Sequence, residues 1–284
     1  MVNNRIACFL TCGYTEAGAM QFFLKRVNDK FEYKQYLPNR TIKKKGDPKT
    51  ISKEISGLTG EKLLEKVYTI LDKHKDEVNQ CKAILIEDDL DGRFHEKSAE
   101  EVSKYKSDIV QRVRDILDNQ EMKVFLLFAS PEAEAWFVAD WEHGFKALYE
   151  SDSINDLEYS ERKFFVHQLK QYIDREVLGE YANDIEQYGF KDGTYYKLSD
   201  QLITVISNDI KEYLLNNNDN AAYAKKISES RHLYYSKKLH GDRMMKSILP
   251  DVLEGKCKHF FKPVYHELAD FDVEKEELEK SGAF

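Results

Sequence analysis

A chain of 284 residues with 42% hydrophobic side chains can bury a substantial core, as one large domain or two. Its net charge of −8 lends no overall support to nucleic-acid binding, although an uneven distribution could still create a basic face. No segment approaches the ~20 apolar residues needed to cross a bilayer, so no membrane partner is expected. Cys8, Cys12, Cys81 and Cys257 form neither a C-x-x-C pair nor a disulfide-dense pattern, and a reducing cytoplasm is the expected compartment.

MVNNRIACFLTCGYTE holds a short apolar run broken by Thr11 and Gly13, with no small-residue cleavage site behind it. It reads as a first strand over Arg5 to Thr11, not as a signal peptide. A helix is expected from near Thr15, a shorter strand over Phe31 to Leu37, and a long basic loop from Lys43 to Gly60. Leu63, Leu64, Val67, Ile70 and Leu71 then recur at helical spacing within Glu61 to Val78. The run Lys82 to Glu87 is continuously apolar over Ala83 to Ile86, which suits a strand buried on both faces of a parallel sheet. Val102, Ile109, Val110, Val113, Ile116 and Leu117 mark the next helix, and KVFLLFA, Lys123 to Ala129, the next strand. Strand and helix in alternation imply right-handed βαβ units and an α/β fold with a covered parallel sheet. After about Trp141 the pattern is mainly helical, over Arg162 to Val177, Leu198 to Leu215, Asn220 to Ser230 and Asp242 to Leu253, with NNNDN at Asn216 to Asn220 as a turn. With no repeat and no Pro- or Ser-rich linker, residues 1–150 are expected to form an α/β metal-binding domain and residues 151–284 a helical extension packed on it.

The segment ILIEDDLDGR concentrates the chemistry. Its strand ends in Glu87, Asp88 and Asp89, with Asp91 two residues on. Clustered carboxylates repel one another, and Mg²⁺ or Mn²⁺ relieves that repulsion while keeping waters for reaction; the alternative is a polar loop that caps the next helix. Ligands of open parallel sheets gather beyond the carboxyl ends of the strands, so Glu16 from TCGYTE, Asp89 and Asp91 from EDDLDG, and Glu132 with Glu134 from SPEAEAW could converge. Each has a local alternative. Glu16 at a helix start would meet the helix dipole, Glu132 follows Ser130 and Pro131 as in a capped helix start, and Glu134 would face another side of that helix. Trp136, Phe137 and Val138 read as core. Two basic groups stand out, Arg40, Lys43, Lys44, Lys45 and Lys49, and Arg231, Lys237, Lys238, Arg243 and Lys246. Either is a solvated face or a phosphate-neutralising one, and an acidic C-terminal tail from Glu267 offsets them. His95 and His240 are reserve proton carriers.

Gly-Tyr-Thr-Glu after the first strand, DLDG after a later one, then SPEAEAWFVAD and YSKKLHGD, resemble the Toprim-like proteins of the group called DUF4276, related in fold to the nuclease domains of OLD-type proteins. The resemblance covers roughly Arg5 to Asp140, with a weaker echo at Tyr235 to Met245, and EAEAWFVAD is its most specific piece. It implies a Toprim-like parallel sheet flanked by helices and a divalent-metal site for phosphodiester chemistry, in which the DxD pair falls on Asp89 and Asp91. The family pattern has an acid before the glycine of the first loop; here Cys12 stands there and the nearest acid is Glu16.

The resemblance therefore implies a Mg²⁺- or Mn²⁺-dependent nuclease of a defence or mobile-element context. Asp89 and Asp91 would bind a first metal with Glu16, Glu132 and Glu134 would hold a second, and Lys43, Lys44, Lys45, Lys237 and Lys238 would neutralise phosphates of DNA or RNA. The alternative it leaves open is a non-catalytic subunit that binds and regulates a partner ATPase; a homo-oligomer is also left open. Aspartyl-phosphate transfer is disfavoured because such enzymes carry their DxD after the first strand. The glycine-rich fingerprints of P-loop and dinucleotide enzymes do not occur.

Overall fold

The computed structural model describes residues 4–11, 13, 15, 18–38, 57–151, 156–217 and 220–272. Its centre is a parallel sheet of four strands, β1 (Arg5–Phe9), β2 (Glu32–Leu37), β3 (Ala83–Asp89) and β4 (Lys123–Ala129), in the order β2-β1-β3-β4. Successive strand residues point to opposite faces, and the sequence fills both. Ile6, Cys8, Ala83, Leu85, Phe125 and Leu127 belong to one apolar cluster, and Ala7, Phe9, Ile84, Ile86, Val124 and Leu126 to the other. This two-sided burial is why the strands read as unbroken apolar runs rather than alternating ones.

Helix α1 (Met20–Val27) covers the first face through Met20, Phe23 and Leu24. Helices α2 (Gly60–Lys73), a short α3 (Lys75–Val78) and α4 (Ala99–Leu117) cover the second, through Leu63, Leu64, Val67, Val78, Ile109, Val113 and Leu117. The periodicity over Glu61 to Val78 thus folds as two helices broken at His74, and α1 starts at Met20 instead of near Thr15. Helix α4 starts where its sequence dictates. Ser98 Oγ accepts the Glu101 N–H at 3.2 Å and the Glu101 carboxylate accepts the Ser98 N–H at 2.9 Å, a reciprocal capping box.

Strand β3 runs two residues beyond the expected Glu87, because β4 continues to pair with it through Asp88↔Phe128 and Asp89↔Ala129. Strand order reverses between β1 and β3, since the chain moves outward to β2 and then crosses back over β1. That makes the carboxyl ends of β1 and β3 the switch point, where open α/β sheets form their ligand crevice.

The chain beyond β4 packs on the α1 face. Helix α5 (Glu134–Ala139) and the helices Tyr159–Tyr172, Leu198–Thr204, Ile210–Asn217, Ala221–Glu229, Asp242–Ser247, Pro250–Lys256 and Phe261–Ala269 share one apolar cluster with β1, β3 and β4. Phe271 closes it, stacking on Phe31 with centroids 5.1 Å apart and meeting Phe125 edge-on at 5.3 Å. The region is mainly helical, as expected, with π-helical turns such as Lys237–Gly241 and one small antiparallel hairpin, β5 (Phe190–Lys191) and β6 (Thr194–Tyr195). Among the described residues no helix is long and apolar enough to cross a membrane.

Candidate functional site

Because strand side chains alternate, the three acids that end β3 are distributed over both faces. Asp88 turns to the α2 side. Its oxygens accept the Gly60 N–H at 3.0 and 3.1 Å, and Arg93 pairs with it while also bonding the Asp89 carbonyl and, at 3.2 Å, the Tyr105 hydroxyl. Burial raises the Asp88 carboxyl above its ordinary value, with Arg93 opposing the rise. Glu87 Oε2 accepts the Thr11 N–H at 2.9 Å and so ties the end of β3 to the chain leaving β1. Asp89 faces the α5 side, where its Oδ1 accepts the Ala133 N–H at 2.9 Å.

Asp91 sits in a tight turn with φ of 46°, followed by Gly92 at 75°. A Cβ on Gly92 would lie 2.5 Å from Phe190 and 2.9 Å from Tyr195, so glycine lets the β5–β6 hairpin press onto this turn. The Asp91 N–H donates to the Pro131 carbonyl at 2.7 Å, which fixes the β3 and β4 loops together. Asp91 Oδ1 then accepts from Lys197 Nζ at 2.9 Å and Oδ2 from Thr59 Oγ1 at 3.1 Å.

Glu132 is fully buried. Its Oε1 accepts the Ser199 N–H at 2.6 Å, and its Oε2 accepts from Ser199 Oγ and from Lys237 Nζ, each at 2.9 Å, with Lys197 Nζ 3.7 Å away. Glu134 Oε1 accepts from the Tyr235 hydroxyl at 3.2 Å, and its Oε2 lies 3.0 Å from Lys237 Nζ. The capped-start reading of this loop is not what forms. The Ser130 hydroxyl donates to the Glu186 carbonyl at 2.6 Å, and α5 begins only at Glu134. Glu132 therefore precedes the helix, and Glu134, instead of facing away, meets Glu132 across one lysine.

The structure thus brings Asp89, Asp91, Glu132 and Glu134 to the carboxyl ends of β3 and β4, interleaved with two ammonium groups. Lys197 spans Asp91 and Glu132; Lys237 spans Glu132 and Glu134. Burial alone would lower Lys237, but Glu134, Glu132 and Asp89 outweigh it and hold it above the ordinary lysine value. Lys197 is raised in the same way against its burial, by Asp91 and Glu132. Glu134 is raised by burial and by repulsion from Glu132, with Lys237 opposing. Lys238 is exposed beside Lys237. Glu16, Lys43, Lys44 and Lys45, with Cys12, lie outside the described residues. Thr15 is described, and a Cβ on Gly241 would fall 2.5 Å from its Oγ1, so the turn that carries Lys237 packs against the loop after β1. Among the described residues neither His95 nor His240 hydrogen-bonds to the four carboxylates.

Three participants escaped the sequence reading: Lys197, Ser199 and Tyr195. The Tyr195 hydroxyl is buried without a hydrogen-bond partner among the described residues, and burial followed by the charges of Glu132, Asp91 and Asp89 pushes its pKa well up. Lys197 did carry a signal. It occupies the N-cap position of the helix Leu198–Thr204, where a cation opposes the helix dipole and needs a carboxylate to offset it.

The donor set fits a hard divalent cation in kind and in charge: every donor is a carboxyl oxygen, and the carboxylates outnumber the two ammonium groups, with Glu134 the one that burial shifts toward holding its proton. In arrangement the lysines space the acids apart, and among the described residues no three His, Cys, Asp or Glu side chains form a group that would hold an ion. An ion entering here would displace a lysine from one of its two carboxylates. Compared with protein-family models, curated proteins and solved structures, the chain matches none.

Proposed function

We propose that this chain is a divalent-metal-dependent phosphodiesterase acting on nucleic acid. The observation that carries the reading is the under-compensated centre itself, four carboxylates around two lysines at the carboxyl ends of β3 and β4, beside the switch point of a parallel sheet. Burying an uncompensated negative charge is costly, so an excess of carboxylates over ammonium groups at the strand ends favours a site that recruits a cation. The resemblance to the Toprim-like DUF4276 group agrees, and it would put the activity in defence or mobile-element biology.

Asp89, Asp91 and Glu132 would hold Mg²⁺ or Mn²⁺, with Glu16 and Glu134 as further carboxylates. Bound there, the ion supplies Lewis acidity toward the phosphoryl oxygens and a water of lowered pKa. The protein's own groups account for the rest. Lys197 and Lys237 stay protonated, so they act as fixed positive charge for the non-bridging oxygens of a phosphodiester and not as bases. Glu134, raised by its burial, is a carboxyl disposed to hold a proton. The Tyr195 hydroxyl stays protonated and has a hydrogen bond to donate. Lys43, Lys44, Lys45 and Lys238 would extend phosphate contacts beyond the centre. The test is cleavage of single- and double-stranded DNA and RNA by the full chain with Mn²⁺ or Mg²⁺; activity that chelation abolishes supports the reading, and none with any of these substrates and ions sinks it.

One observation favours a second reading. Lys237 and Lys197 already bridge the carboxylates, as they would in a non-catalytic subunit whose ion pairs are structural and which acts by binding a partner ATPase. A stable complex with such an ATPase, unchanged by Asp89→Ala and Asp91→Ala, would support it.

A further inference from the structure

The turn that places Asp91 has a second side. Behind it, between the α4 start, the β5–β6 hairpin and the N-terminus of the helix Phe261–Ala269, lies a cavity of about 560 Å³, within the range of small-molecule sites. Its wall carries Phe94, His95, Lys106, Phe190, His259 and Phe260. The rings are ordered in pairs. His95 stacks on Phe190 with centroids 3.6 Å apart and planes 3° from parallel, and Phe94 stacks on Phe260 at 5.8 Å and 22°.

Two lysines line this wall, and Lys106 is the one set among aromatic rings. Its Nζ lies 5.7 Å from the Phe128 ring centroid and 5.5 Å from that of Phe260, with no carboxylate within ion-pair range among the described residues. Burial lowers its pKa against the opposing charges of Glu267 and Glu186, so the ammonium sits partly desolvated among the rings. The neighbouring Lys97, in contrast, is paired with Glu101 at 3.0 Å. The acids of the wall are accounted for. Glu186 accepts the backbone N–H groups of His259, Phe260 and Phe261, capping the helix that follows, and Glu96 lies 3.8 Å from His95 Nε2.

We infer that this cavity is a nucleotide subsite, in which a base stacks against the paired rings of His95, Phe190, Phe94 and Phe260 and a phosphate meets Lys106. Aromatic faces beside a cation are the combination that holds single-stranded nucleic acid without reading its sequence. The cavity and the carboxylate centre share one turn: Gly92 lines the cavity, Asp91 faces the lysines, and the hairpin contributes Phe190 to one and Tyr195 to the other. A strand whose phosphodiester lies at Lys197 and Lys237 could therefore seat a neighbouring nucleotide here. The ligand class rests on the function proposed above; binding itself requires no metal.

The test is fluorescence anisotropy of labelled single-stranded ten-nucleotide DNA and RNA with the full chain in EDTA, with unlabelled AMP and UMP as competitors. Wild type should bind, and Phe190→Leu, which keeps apolar bulk but removes the π face, should weaken binding about tenfold. Lys106→Gln should weaken it and reduce the salt dependence by about one phosphate contact, with Lys106→Arg restoring both. Competition by the mononucleotides marks a free-nucleotide site, whereas oligonucleotide binding that they do not displace marks a strand site. Wild type that binds neither oligonucleotide nor mononucleotide, or affinities unchanged in Phe190→Leu and Lys106→Gln, would overturn the subsite. If these variants lose binding but wild type cleaves nothing with Mn²⁺, the subsite stands and the nuclease reading fails. If cleavage depends on Asp89 while the variants bind normally, the reverse holds.

Discussion

The two faces of β3 handle their carboxylates in opposite ways. On the α2 side Asp88 is closed by one guanidinium and one backbone N–H, a one-to-one balance with nothing left over. On the α5 side Asp91, Glu132 and Glu134 share two lysines with Asp89 beside them, and the Tyr195 hydroxyl is buried without a partner among the described residues. Adjacent acids in the sequence, Asp88 and Asp89, therefore do different work. A balanced pair stabilises the loop; the unbalanced centre is the one we propose takes a ligand.

Substitutions can break that contrast, and the largest expected effect is on activity. Asp89→Asn with Asp91→Asn should lower metal-dependent cleavage about a thousandfold, whereas Asp88→Asn should leave the rate per folded molecule within a few-fold; equal losses in steady-state cleavage assays would erase the distinction. Next comes stability. Lys237→Met strands Glu132 and Glu134 as buried like charges and should cost about 3 kcal/mol in urea unfolding, with Arg93→Met costing a similar amount by stranding Asp88.

A pH profile sharpens the comparison further. Burial raises Glu134 above 4.5, its ordinary value, so between that value and the raised one the folded state binds more protons than the unfolded chain. Wild-type stability consequently falls as pH rises through that window. Glu134→Gln removes this slope, and its melting temperature should gain on wild type as pH rises above Glu134's ordinary value; parallel curves would contradict the assignment. The smallest effect belongs to Ser199→Ala, which deletes one hydrogen bond to Glu132 and leaves the Ser199 N–H in place, for a loss of about 1 kcal/mol.

The sheet was legible because two-sided burial writes itself as apolar runs such as Ala83 to Ile86, and the position of Asp89, Asp91, Glu132 and Glu134 at one edge of that sheet was legible because each lies at or just beyond a strand end in the sequence. The end of β3 was not legible. Asp88 and Asp89 belong to the strand only because β4 pairs with them, and that register is a property of two distant segments. The cations were harder still. Lys197 follows a hairpin whose strands are two residues each, too short to show alternation, and the Lys237 turn finds Glu132 and Glu134 across about a hundred residues. The unforeseen helix Phe261–Ala269 carries Pro263 in its first turn, where proline is tolerated although it reads as a breaker.

The central claim is that the α5-side centre, and not the Asp88 side, takes a divalent cation. Titration of the full chain with Mn²⁺, followed by the loss of the free-ion electron paramagnetic resonance signal, tests it directly. The account predicts saturable binding that Asp89→Asn with Asp91→Asn abolishes and Asp88→Asn retains. Mn²⁺ binding that is absent in wild type, or indifferent to Asp89 and Asp91, would contradict it.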